Sequence, residues 1–141
     1  MSIFRSIDIS SSGLRAGRVR MDVIAQNIAN VDSTAAPGTA YKRREVVLLA
    51  DQPRRAGGLG PPSNEGGGVR VLAIREDPSP GMMVHEPSHP AANAEGYVER
   101  PNVSLPLEMV DMVAAGRAYE ANASALKTGR DIAKRTLDIL R

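Results

Sequence analysis

Apolar residues recur at alternating intervals of three and four near both ends of the chain and lose that period in the middle. Ile7, Leu14, Met21 and Ile28 stand seven apart. Ile3, Ile24 and Val31 fill the alternate positions, with Ser10 and Gly17 as small interruptions. Such spacing over four heptads predicts a helix with a narrow, coiled-coil-like seam, a rod of roughly 40 Å over residues 3–30. Ser10-Ser11-Ser12-Gly13 is a poor helical stretch, so the helix is expected either to kink there or to let another backbone approach closely. Near the other end, Met109, Met112, Gly116, Tyr119, Ala123, Leu126, Arg130, Ala133, Leu137 and Leu140 follow the same alternation. Ser104 as N-cap, Pro106 in the first turn and Glu108 at the positive end of the dipole mark where this second helix begins.

Between the helices the pattern shortens to strand-like runs. Val46 to Leu49 lie in one, within 41–50; Val69 to Arg75 form a second, and Met82 to His85 a third. Residues 51–68 hold six Gly and three Pro, which predicts a flexible loop. The fold class is therefore α+β. Assembly helices at 1–36 and 107–141 flank a small β-rich, Pro/Gly-rich middle at 37–106.

Composition changes the picture in one respect. The chain has 141 residues, 42% of them hydrophobic, yet 19 of these are Ala, and Ile, Leu, Val and Phe together number only 31. All ten prolines lie between Pro37 and Pro106. So thin a stock of large apolar residues makes a self-sufficient core doubtful and points to partner chains. The absence of Cys excludes disulfides, thiolate metal sites and thiol nucleophiles. No apolar run reaches the ~18 residues of a membrane span, and residues 1–8 lack the apolar stretch of a cleaved secretory signal. The net charge of +2 divides evenly, as +1 over 1–36, 0 over 37–106 and +1 over 107–141, which is no nucleic-acid footprint.

Candidate chemistry is sparse. His85 and His89 are four apart, a spacing that holds metals on helices, but Pro87 and Pro90 interrupt the segment and no third ligand is evident. Gly66-Gly67-Gly68 lacks the Lys-Ser/Thr of a phosphate loop. The residues point to no catalytic or cofactor site and no metal site. The two seams remain, and a heptad does not name its partner. They could pair with each other in an antiparallel hairpin or join a bundle of many subunits.

Three stretches carry a resemblance. Ser12-Gly13-Leu14, Asn27-Ile28-Ala29-Asn30, Thr34 and Tyr41-Lys42-Arg43 resemble the N-terminal motif of bacterial flagellar rod and hook proteins. Glu108-Met109-Val110-Asp111-Met112, with Ala115 and Arg117-Ala118-Tyr119-Glu120-Ala121-Asn122, resembles their C-terminal motif. Pro87, His89-Pro90, Gly96-Tyr97 and Pro101-Asn102 resemble the segment typical of the proximal-rod branch of that family.

The resemblance implies a non-enzymatic structural subunit. Such proteins polymerise helically into the torque-transmitting shaft of the basal body, which spans the periplasm. Implied partners are copies of the chain, other proximal rod subunits, the distal rod protein and the rod–membrane-ring junction protein. Export by the flagellar type III apparatus is also implied, as are terminal helices largely disordered in the free subunit. On this reading Ile7, Leu14, Met21, Ile24, Ile28, Met109, Met112, Tyr119, Leu126, Leu137 and Leu140 face neighbouring subunits. Asn27 and Asn30 read as helix caps with a share in the interface. Gly17 and Gly116 mark close approach between helices. A soluble coiled-coil adaptor is the alternative, and a metal enzyme using His85 and His89 a distant third.

Overall fold

The computed structural model describes residues 3–37, 39–51 and 67–139. Helix α1 spans Ile3–Ala29 and helix α2 Leu105–Ile139. Between them lie strands β1 (Arg44–Ala50), β2 (Val69–Glu76), β3 (Met82–His85) and β4 (Tyr97–Arg100). β1 pairs with β2 and β3 with β4, giving two two-stranded antiparallel sheets. The α+β reading with long terminal helices is therefore correct. Most of the expected loop 51–68 lies outside the described residues, as does Leu140.

α1 does not break at its serine run; it is one helix through Ser10–Gly13. It ends where the Asn30 side-chain amide donates to the Gln26 carbonyl at 2.8 Å and Ser33 Oγ donates to the Asn30 carbonyl at 2.8 Å. Asn30 is thus a cap, satisfying carbonyls that have run out of helical partners. α2 begins directly after Ser104, the expected N-cap, whose carbonyl accepts from the Glu108 N–H at 3.0 Å.

Compactness groups the residues into two units. The first comprises Met1–Val19, Val47–Ala73 and Ala115–Arg141, the second Arg20–Val46 and Ile74–Ala114.

In the first unit the two helices meet antiparallel along a line of small residues. A Cβ on Gly13 would lie 2.7 Å from Asn122 Oδ1, one on Gly17 3.5 Å from Tyr119 Cδ2, and one on Gly129 3.1 Å from Ile7 Cγ1. Ala16 and Ala115 are buried beside this line. The row buried along α2 is Glu108, Ala115 and Gly129, one position before the expected row of Met109, Gly116 and Arg130. Within one chain the helices approach through their smallest side chains, which permit the shortest interaxial distance. Gly116 departs from expectation, since a Cβ there would meet nothing within 4 Å.

The serine run has a structural use that its low helix propensity concealed. Ser12 Oγ donates to the Ile9 carbonyl at 2.7 Å and accepts from the Val69 N–H at 3.0 Å, so it fastens the start of β2 to α1. Gly68 makes the approach possible: its φ is +95°, and a Cβ would stand 2.5 Å from Ser12 Oγ.

The second unit has its core at Val23, Ile24 and Val98. β4, which carries Val98, went unread in the sequence because its four residues alternate weakly and abut Pro101. Its register with β3 runs from Met82↔Arg100 to His85↔Tyr97. Gly81 sits where β3 begins, and a Cβ there would lie 2.1 Å from the Arg100 carbonyl oxygen. Because that obstacle is backbone, Gly81→Val is expected to cost about 2–3 kcal/mol. Urea denaturation would measure the cost, and a wild-type midpoint would show that β3 and β4 do not need this close approach.

Candidate functional site

Residues from five parts of the second unit converge on one buried polar cluster. Asn27, in the last turn of α1, is 0% exposed, as is Glu108 in the first turn of α2. The two are 81 positions apart, and Asn27 Nδ2 donates to Glu108 Oε2 at 3.0 Å. Asn27 also grips the chain entering β1. Its Oδ1 accepts from the Arg44 N–H at 2.9 Å and from Tyr41 Oη at 2.8 Å, while its Nδ2 donates to the Arg44 carbonyl at 2.9 Å. Both donors and both lone pairs of the amide are therefore used. Burial without such partners would cost several kcal/mol. Asn27 is thus an interior clasp rather than the helix cap expected from its position near the end of α1.

Arg43 closes the other side. Its Nε donates to Glu108 Oε1 at 2.6 Å, and its terminal nitrogens reach Glu45 and, at 3.4 Å, Asp111 Oδ2. Burial works against its charge, but the hydrogen bond and the charge of Glu108, with Glu45 behind them, hold its pKa above the ordinary arginine value. Its main chain is fixed as well: the Arg43 N–H donates to Asn102 Oδ1 at 2.7 Å, and its carbonyl accepts from the Asp77 N–H at 2.7 Å. Asn102, two residues before Ser104, donates in turn to the Ser79 carbonyl at 3.1 Å. Outside this cluster, the Arg44 guanidinium pairs with Glu76 at 3.1 Å and lies 5.6 Å from the centre of the Tyr41 ring.

Burial raises the Tyr41 pKa above its ordinary 10.0; Glu108 and Glu76 add to the shift, and Arg44 opposes it. The neutral phenol is the form that donates to Asn27. A raised folded-state pKa means that this stabilisation is complete below pH 10 and is lost as pH rises through the folded value. Tyr41→Phe is therefore expected to be less stable than wild type at neutral pH and to lose less stability in alkali. Urea midpoints at about pH 8 and about pH 11 check this; parallel alkaline losses in the two proteins would refute it.

The cluster binds and orients, and its groups are saturated by one another. It holds the end of α1, the start of α2 and the entry to β1 in one arrangement. The consequence appears on the opposite face of α2. Glu108 and Asp111 point inward, whereas Leu107, Val110 and Val113 point outward and are 64%, 66% and 55% exposed. The usual amphipathic arrangement is inverted over these turns.

Other residues singled out in the sequence lie elsewhere. Ile24 is buried; Ile7, Leu14, Met21, Ile28, Met112, Tyr119 and Leu126 are half-buried; Met109 and Leu137 are exposed. Asn122 faces Gly13, and Arg117 and Pro90 are exposed. His89 Nδ1 accepts from the Ala91 N–H at 3.1 Å, which leaves its Nε2 to donate to Thr34 Oγ1 at 3.1 Å. His85 packs against Tyr97 with ring centroids 5.0 Å apart. Gly96 turns the chain at φ +80°, and Pro101 is buried. Among the described residues there is no group of three or more His, Asp or Glu side chains able to hold a metal ion. In the sequence Arg43 was visible only as a member of a motif, and Glu108 as a motif member and a first-turn acid.

Two family models match the segments that supply Asn27, Asn102 and Glu108 of this cluster. The flagella basal body rod protein model covers residues 7–36, and the model for the C-terminal region of flagellar basal body rod FlgEFG proteins covers 94–139. Whole-chain relatives are narrower in kind. The flagellar basal-body rod protein FlgC of Bacillus subtilis is 40% identical over 99% of both chains. FlgC of Borreliella burgdorferi is 39% identical over 99% of both, and FlgC of Salmonella typhimurium 36% identical over 99% of this chain and 98% of that one. The chain belongs to the FlgC family of flagellar basal-body rod proteins. As a FlgC-family protein it is a structural subunit of the basal-body rod and resides there. The two matched segments meet where Asn27 donates to Glu108, so the likeness along the sequence is also a contact in space.

Proposed function

We propose that this rod subunit works by polymerisation alone, without catalysis, through the outward faces of its terminal helices. The observation that carries this reading is the inverted start of α2, where carboxylates turn inward to Arg43 and Leu107, Val110 and Val113 turn to the outside. Full burial of an aliphatic side chain contributes about 1.5–3 kcal/mol, so covering these three supplies several kcal/mol per subunit. Repetition along a shaft turns that into resistance to torque. The partners on this reading are copies of the chain, other proximal rod subunits, the distal rod protein and the rod–membrane-ring junction protein. Delivery is by the flagellar type III export apparatus. Toward the end of α2 apolar side chains stay open among the described residues: Ile132 and Leu137 are exposed and Ile139 is 84% exposed. These turns gain their order when neighbours cover them.

The test is complementation. A motile flagellate lacking its own subunit of this kind should regain rods and swimming when it expresses this chain, and helix content by circular dichroism should rise when purified chain polymerises. Rodless basal bodies despite full export would refute the reading.

A further inference from the structure

A cavity of about 490 Å³ lies wholly within the first unit, between α1 and the start of β2. It shares no residue with the buried polar cluster or with the outward face of α2. Its floor is aliphatic, with Ala16 and Val19 from the helix and Val69 and Val71 from the strand. Its rim carries exposed charges of both signs, Asp8 and Arg15 on α1, Asp51 and Arg70 on the strand side. Asp8, Ser11, Arg15 and Val19 share one side of the helix, so the cavity is a trough about 16 Å long.

These groups are not spent on the chain itself. Asp8 and Arg15 make no ion pair among the described residues, and the Ser11 hydroxyl has no hydrogen-bond partner there. Arg70 Nε stands 4.0 Å from Asp51 Oδ1 with side chains 60% and 61% exposed, a pair that contributes little in water. The signs are also separated. The Asp51 N–H donates to the Gly68 carbonyl at 2.9 Å, and Gly68 abuts Ile9 and Ser12, so Asp51 stands at the Asp8 end. Arg15 lies two turns further, about 10 Å along the helix axis from Asp8.

A ligand for this trough must match both signs. A phosphate or an anionic headgroup would meet the carboxylates, and a bare cation would meet the guanidinium groups. Among the described residues the lining holds no aromatic ring on which a nucleobase could stack. We infer that the trough docks an extended segment of another protein, one that carries a basic and an acidic side chain on the same side. Two to four positions of such a segment, at about 3.3 Å each, bracket the distance from Asp8 to Arg15. Its cation meets Asp8 and Asp51, and its carboxylate meets Arg15, with Arg70 as a second donor. Small apolar residues between them cover the valines, and the Ser11 hydroxyl bonds a peptide group. Specificity comes from the order of the charges, since a like charge at either end is repelled. The inference is independent of the polymerisation reading, because it needs one chain and one peptide.

Isothermal titration calorimetry of the full-length chain with the peptide acetyl-Lys-Ala-Val-Ala-Glu-amide tests this. Peptides with Lys at both ends, or Glu at both ends, are the comparison. The mixed peptide should bind about tenfold more tightly than either. Arg15→Glu should turn the preference toward the double-Lys peptide, and Asp8→Lys toward the double-Glu peptide. Both positions are exposed, and circular dichroism identical to wild type would show that the fold is kept. If one variant does not fold, the other carries the test. No binding of the mixed peptide, equal binding of all three, or variants that keep the wild-type order would overturn the inference. Pentaalanine with free ends binding more tightly than the blocked mixed peptide would assign the trough to chain termini instead. Self-association that Arg15→Glu abolishes, without any peptide binding, would assign it to a second copy. Either result would overturn the inference as well.

Discussion

Glu108→Ala is expected to destabilise the folded chain by about 2–4 kcal/mol. The carboxylate is fully buried and receives Arg43 at 2.6 Å and Asn27 at 3.0 Å, so its removal strands a guanidinium and an amide donor together. Breaking a buried pair from one side typically costs about 3–5 kcal/mol. The lower range applies here because the Arg43 side chain is 23% exposed and keeps Glu45 and Asp111 as partners. Glu108→Gln should cost less than Ala, since an amide oxygen can still accept from one of the two donors. Urea denaturation followed by circular dichroism measures both variants. If Glu108→Ala falls within about 0.5 kcal/mol of wild type, the cluster does not hold the helices to the strand as described. The double variant Arg43→Ala/Glu108→Ala isolates the coupling, and a loss smaller than the sum of the singles is expected because the stranded charge leaves with its partner.

The cluster also marks where sequence reading stops. The helices were legible because proline is confined to the middle and apolar spacing alternates between three and four. Strands β1 to β3 were legible as short runs rich in Val, Leu, Ile and Met. Within the single chain the buried row on α2 lies one position before the apolar seam read from the sequence. Gly13 and Gly17 were legible as places of close approach, whereas Gly129 on α2, which meets Ile7, was not. No period announces a row of small residues. Nor does spacing reveal that Glu108 is interior, since a glutamate in a first helical turn is ordinarily explained by the dipole alone. Ser12 was legible as a poor helix former and illegible as the anchor of a strand 57 positions later, because that bond depends on the chain returning at Gly68. Long-range polar contacts are fixed by topology, and local pattern carries no signal for them.

Val113→Asp should give the opposite result to Glu108→Ala, with the fold kept and the rod lost. Val113 is 55% exposed in the single chain and lies on the face of α2 away from Glu108. An aspartate there changes the helix by no more than the few tenths of a kcal/mol that separate its propensity from that of valine. Covered by a neighbour, the same carboxylate must give up its water, and the effective penalty is several kcal/mol per buried ion. One affected contact per subunit then acts on every subunit of the assembly. Thermal melting of the purified variant should match wild type, while swimming and rods seen by electron microscopy should both be absent. Val113→Leu, which keeps the apolar surface, should retain both. Normal rods built from Val113→Asp would show that this face stays in water and would leave the exposed apolar turns of α2 without a use. Loss of rods in both variants would instead indicate a contact too tightly fitted for one added methylene. The face would still be an interface, but held by shape more than by burial.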